Sequence, residues 1–423
     1  MPETNETVLA SSVHGTVWLL DAQTGAIRWQ YLPNERIISL IHGGDMVYVA
    51  SYMPLVAYAF SEAADKQGMS PPRRIPAACP GTITALHISD GTEAWSKSGW
   101  TWPVGKAALD GDTLVTDMLG PEIGTNTIDA LDKRTGEHLR TIATGEWNRT
   151  HVQLITATSG RTLVDDNRGP RHLSVYDTAT GEKVWENPRL AMPPGISADG
   201  ALLVYGQEVL RTADGSVYAT TRDQISFSTP IADGIAYLIS PVSKSYPARM
   251  RISALRLADH TVLWNTPSMM SGSLQISGDV LLSIGGRSRH PFLDIVAMDS
   301  ATGNMLWRWT TPRNLISLLL LWGRNIPLMI AKAINEARWT LKQRGPSGRG
   351  RRWRDVLWHE FLHGQWRRPT HLIGPSVIAA DHNTVYAGTS LGLFAIDAWT
   401  GRLRWHALPT MHIAHIVPAP ASE

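Results

Sequence analysis

Apolar and polar residues alternate along this chain in short runs that break at a tight turn and resume, again and again. The first stretch, residues 15–29, reads GTVWLLDAQTGAIRW: Val17 and Leu19 alternate, Asp21 to Gly25 turn, and a second run ends on Trp29. Period-two alternation is the mark of a half-buried strand. Asp at the head of the turn can accept amide hydrogen bonds, and Gly at its end takes a positive φ without steric cost. The phrase therefore predicts two antiparallel strands joined by a tight turn.

It returns at 81–95, 126–140, 171–185, 251–264, 293–307 and 391–405, with a worn copy at 209–219. The turn glycines are Gly25, Gly91, Gly136, Gly181, Gly215, Gly303 and Gly401, with His260 in the place of one more. Successive turns stand 66, 45, 45, 34, 45, 43 and 98 residues apart. A unit of about 45 residues with four short strands is the length of one propeller blade. The stretches between phrases supply the two further strands, such as 37–42 with 46–50, 227–232 with 235–240 and 376–380 with 384–388. Eight phrases predict an all-β, eight-bladed β-propeller spanning residues 1–423. The chain starts on a second strand, 7–11, and finishes on a first strand, 412–417, so the last strand is expected to complete the first blade and close the ring as a monomer. Closure removes two exposed edges.

The motif A-x-D-x-x-T-G-x-x-x-W resembles the tryptophan-docking repeat of the PQQ-like, quinoprotein alcohol dehydrogenase-like β-propellers, and covers the chain apart from two insertions. The resemblance implies that Trp29, Trp95, Trp185, Trp264, Trp307 and Trp405 dock between neighbouring blades. Arg140 and Ala219 stand where two more tryptophans belong, which predicts the loosest blades there and at His260. The superfamily includes quinone-dependent dehydrogenases, outer-membrane assembly scaffolds and sensor domains. Its dehydrogenases carry adjacent cysteines, calcium ligands and a catalytic Asp. Here Cys79 is the one cysteine and no calcium cluster is recognisable, so neither PQQ nor another cofactor is expected.

The longest turn-to-turn steps predict a loop insertion at 52–80 in blade 2 and a larger one at 313–370 between blades 7 and 8. By strand alternation both leave the ring on one face. Residues 313–370 hold twelve Lys and Arg against three acids, net +9, so a chain of overall charge +2 is a basic module on a ring of −7. Their pattern is helical and amphipathic: 315–322 is apolar, Met329, Ile330, Ala333, Ala337 and Leu341 share a face, and 345–350 (GPSGRG) breaks the run before 353–366. Trp322, Trp339, Trp353, Trp358 and Trp366 lie among basic residues that include Arg351 and Arg352. Three roles fit: packing on the ring face, an interfacial membrane contact, or a docking surface for a partner. The run is interrupted at 323–325, too soon for a membrane span. No nucleic-acid recognition motif accompanies it.

Residues 359–363, HEFLH, fit H-E-x-x-H, the helix pattern in which two histidines hold zinc and the Glu activates water. His359 and His363 are candidate metal ligands, but the segment is short for a protease and offers no substrate-binding strand. The smaller loops of the same face carry Arg168 and Arg171, Lys244 and Arg249, and Arg287 and Arg289, with Asp165 and Asp166 before the first pair. An anionic ligand or acidic partner fits there, and so does ordinary loop charge. The N-terminus MPETNETVLASS lacks a basic region followed by an apolar run, so no signal peptide is visible. That predicts a cytoplasmic or membrane-peripheral protein, or else a sequence that lacks an upstream segment, where the resemblance alone implies an extracytoplasmic protein. The expected function is a non-enzymatic binding scaffold that engages a protein partner or a membrane surface. The alternatives are a PQQ- or metal-dependent oxidoreductase and a zinc hydrolase acting through His359, Glu360 and His363.

Overall fold

The computed structural model describes residues 6–12, 15–33, 35–52, 80–100, 106–119, 125–146, 151–167, 172–187, 195–197, 199–205, 208–220, 230–241, 250–268, 274–285, 294–310, 377–389, 391–409 and 411–419. All of their regular structure is β-strand, thirty-two antiparallel strands in eight blades of four, with blades 2 and 3 joined into one eight-stranded sheet by the pairing of Trp100 with Leu119. Blade 2 shows the plan. Its strands run Arg36–Gly43, Met46–Tyr52, Pro80–His87 and Glu93–Trp100 from the ring centre outward. Blade 1 is composite: Thr7–Ser12, Val17–Asp21 and Ile27–Tyr31 take their inner strand, Ile413–Ala419, from the other end of the chain. Leu9 faces Val417 and Ala10 faces Ile416 across that closure. Ser11 Oγ and His415 Nδ1 meet there at 3.0 Å.

The turn between the third and outer strands explains the repeated phrase. Asp21 Oδ1 accepts from the amides of Gln23 and Thr24 and from the Thr24 hydroxyl, at 2.9–3.1 Å. The Asp132, Asp299 and Asp397 turns repeat this. The Arg404 guanidinium beside Asp397, with the Thr400 amide, holds its carboxyl at about 2. Past each turn the register of the third and outer strands slips, between Ala85 and Leu86 in blade 2 and at the matching place in the other seven, and in blade 3 it slips a second time between Ile128 and Asp129. A bulge strengthens local twist, and here it directs the repeat Trp at the next blade.

Apolar residues fill the spaces between blades. Leu9, Leu19, Trp29, Val47 and Leu86 close the space between blades 1 and 2, and Ile295, Trp307, Val385, Phe394 and Ile396 the space between 7 and 8. Strand order also fixes two faces. Connections from second to third strand, and from outer strand to the next inner one, leave on the same side. Both long connections do so: Tyr52 to Pro80, and Thr310 to Val377. The helical insertion expected at 313–370, the loop at 53–79, and the residues expected to bind there lie outside the described residues.

The turn glycines carry a double constraint. Gly91 has φ +73°, and a Cβ on it would sit 2.7 Å from the Trp29 ring. Gly91→Ala is therefore expected to cost about 2–4 kcal/mol, from left-handed strain plus overpacking. Urea unfolding measures this. Gly111→Ala, at φ +61° with no atom within 4 Å, isolates the strain and should cost less.

Candidate functional site: the seams between blades and the loop face

Six tryptophans join neighbouring blades in one way. Trp29 Nε1 donates to the Ile88 carbonyl at 2.8 Å, and its ring lies on Gly91 of the next turn. Trp95 donates to Lys133, Trp185 to Thr212, Trp264 to Ser300, Trp307 to Ala398 and Trp405 to Ala22, at 2.7–3.2 Å. The rings cover Gly136, Gly215, Gly303, Gly401 and Gly25 in that order. The last of these links blade 8 to blade 1. In blades 2, 6 and 8 a second-strand tyrosine supports the ring in the same pose. Tyr48 to Trp95, Tyr237 to Trp264 and Tyr386 to Trp405 stand 6.0–6.1 Å apart, tilted 45–46°. The Tyr48 hydroxyl donates to the same Lys133 carbonyl as Trp95, and burial pushes that phenol up to about 12.

Two seams depart from the rule, and differently. Between blades 5 and 6 the partners have exchanged sizes. Ala219 replaces the Trp, and His260 replaces the Gly at φ +58°. The imidazole Nδ1 reaches the Thr220 carbonyl at 2.9 Å, so the ring crosses this seam from the other side. The missing Trp and the missing Gly, which the sequence presents as two separate weaknesses, thus face each other across one seam.

Between blades 3 and 4 no aromatic ring is present, and Arg140 stands in its place. Arg140 Nη1 reaches the Thr178 carbonyl at 3.3 Å, and the atom nearest a Cβ on Gly181 is Arg140 Cδ at 3.7 Å. Polar groups join this seam elsewhere. Asn126 Nδ2 donates to the Val152 carbonyl and its Oδ1 accepts from the Val152 amide. Asp110 Oδ1 accepts from the Gly160 amide at 3.0 Å. Asp117 sits beside them on the second strand of blade 3, 6% exposed. The Leu154 amide and Asn126 bond its carboxyl, while Oδ2 has no hydrogen-bond partner. Burial pushes Asp117 up to about 8. Between the ordinary value of 3.8 and about 8 the folded chain keeps a proton that the unfolded chain has released. The contribution of this group to stability therefore declines as pH rises through that window.

Sequence reasoning missed Asp117, Asn126 and the exchange at His260. Asp117 was legible in principle, since it shares the inward face of TLVTDML with Val115. Asp165, read as the edge of a basic loop, is instead a buried residue in the second strand of blade 4. Arg168, Arg171, Lys244, Arg249, Arg287 and Arg289 lie outside the described residues, as do Trp322, Trp339, Trp353, Trp358, Trp366, Arg351, Arg352, His359 and His363. Among the described residues no three His, Cys, Asp or Glu side chains gather as a metal cluster. No helix among them is long and apolar enough to cross a membrane.

The sequence model of a protein family described as outer membrane protein assembly factor BamB matches residues 80–224 and 248–414. The chain belongs to the PQQ-like repeat β-propeller family. No curated protein matches this PQQ-like propeller significantly in sequence. Dihydro-heme d1 dehydrogenase NirN, solved in complex with DHE, is 14% identical over 98% of this chain and 75% of its own, with a TM-score of 0.58. BamB from Moraxella catarrhalis is 15% identical over 94% of this chain and 81% of its own, with a TM-score of 0.36. The computationally designed Ika8 protein is 15% identical over 72% of this chain and 88% of its own, with a TM-score of 0.49. At this identity the likeness to NirN shows a shared fold alone.

The exchange at blades 5 and 6 predicts strong coupling. Ala219→Trp alone should destabilise, because the new ring meets the His260 side chain. Adding His260→Gly should recover about 1–3 kcal/mol of that loss, read as the interaction energy of a double-mutant cycle in urea.

Proposed function

We propose that this PQQ-like propeller is a non-enzymatic scaffold that holds a protein partner on the face where its long connections leave the ring. The observation that carries this reading is topological. The 53–79 and 311–376 connections both depart from the side that also bears the shorter second-to-third-strand loops. The larger insertion, 313–370, is +9 against a ring of −7. A basic, Trp-rich module beside arginine-bearing loops suits an acidic protein surface. Aromatic and Arg side chains are the usual energetic centres of such contacts. The family model described as outer membrane protein assembly factor BamB supports a scaffold over a catalyst, and so does the single cysteine, since a vicinal disulfide needs two.

The test compares the intact chain with a variant lacking 313–370. The insertion joins two complete blades, so the variant should keep the β circular dichroism signal of the intact protein. Cross-linking in cells followed by mass spectrometry should recover a partner with the intact chain and lose it with the variant. The same partner at the same yield from both would sink the proposed role of the insertion. Flotation of the intact chain on anionic vesicles, weakening with salt, would assign the insertion to a membrane surface instead.

A further inference from the structure

The fifth residue of each second strand faces the following blade. In the seven blades whose second strand is long enough to have one it is Ser11, Ala50, Asp117, Asp165, Ile239, Ile284 and Gly388; the strand of blade 5, Leu202–Tyr205, has four residues. Small or aliphatic residues are the rule. Blade 4 is the exception, with an aspartate on each side of it: Asp117 reaches it from blade 3, and its own Asp165 faces blade 5. The seam between blades 4 and 5 keeps its tryptophan, since Trp185 is bonded to Thr212 and seated on Gly215. The seam between blades 3 and 4 has Arg140 instead. One seam thus combines a missing aromatic dock, a buried carboxyl with an unpartnered oxygen, and an Asn126 clamp on the backbone of the next blade.

We propose that this seam is a pH-controlled joint in the ring, closed while Asp117 is protonated and opened by its ionisation, which parts the second strand of blade 3 from the inner strand of blade 4. The surroundings explain the direction. Blade 4 meets the carboxyl with one favourable group, the Leu154 amide; Val152, Leu154 and Val164 of that blade belong to the apolar cluster of this seam, and their side chains cannot solvate a charge. Within blade 3 the charged neighbours are Lys106, which favours the anion, and Asp129, which opposes it. Asp129 is itself held by Thr127 and Thr141, with His138 at 3.3 Å. A buried carboxylate with one unbonded oxygen is stable only where water reaches it. Here the way for water is the seam that lacks a tryptophan.

Hydrogen exchange of the intact chain at pH 6 and pH 9, corrected for intrinsic rates, tests the joint. Protection of Thr113–Leu119 and His151–Thr158 should fall by roughly tenfold or more beyond the fall in Val280–Gly285 and Val377–Ala380, which flank the tryptophan-docked seam of blades 7 and 8. Asp117→Asn should abolish the difference. Asp117→Ile, which copies Ile239 and Ile284, should do the same, and it serves where the Asn variant does not fold. A uniform fall across all blades of the unaltered chain overturns the proposal, whatever the variants do. So does a local fall that persists in either variant.

Discussion

The ring depends on an indole of one blade lying flat on a glycine of the next. The contact needs both partners. A Cβ on that glycine would occupy the space of the ring, and a smaller side chain in place of the ring would leave the turn uncovered. The indole also donates a hydrogen bond to a backbone carbonyl that the turn would otherwise leave open, so burial and polar satisfaction arrive together. Each blade alone is a small twisted sheet with two apolar faces. Docking converts eight such sheets into one body, and the bond from Trp405 to Ala22 completes it across the two ends of the chain.

The two irregular seams show what this constraint tolerates. Between blades 5 and 6 the sizes of the partners are reversed: Ala219 leaves the place of the indole unfilled, and the exposed His260 imidazole spans the seam with one hydrogen bond to the Thr220 carbonyl. His260 accepts a left-handed backbone to meet it. Between blades 3 and 4 no ring is present, and hydrogen bonds to the backbone take over through Asn126, Asp110 and Arg140. Hydrogen bonds are directional and respond to protonation, where an apolar contact does not. The seam that gave up its tryptophan therefore depends on groups whose bonding changes with protonation, a buried carboxyl among them.

Strand order links this construction to function. The docking turns all lie on one side of the ring, and the long connections leave from the other. Repeats and turns are committed to holding blades together, which leaves the opposite face free to vary. The strand ends that flank 53–79, 311–376 and the loops at 168–171, 242–249 and 286–293 lie on that face, and the scaffold proposal starts from that division of labour.

Much of the fold was legible in the sequence. The phrase repeats at blade length, Asp and Gly mark its turn, and an unpaired strand at each end announces how the ring closes. These are local features, fixed by backbone sterics and period-two alternation, and they need no knowledge of neighbours. The candidate site was legible only as composition: a basic, Trp-rich segment and a set of loop arginines. The tertiary structure decided what depends on juxtaposition. Ala219 and His260 are 41 residues apart in sequence and became partners only when blade 5 met blade 6. Asp117 reads as an ordinary strand aspartate until the next blade packs against it, bonds it through the Leu154 amide and leaves it buried from the water its charge requires.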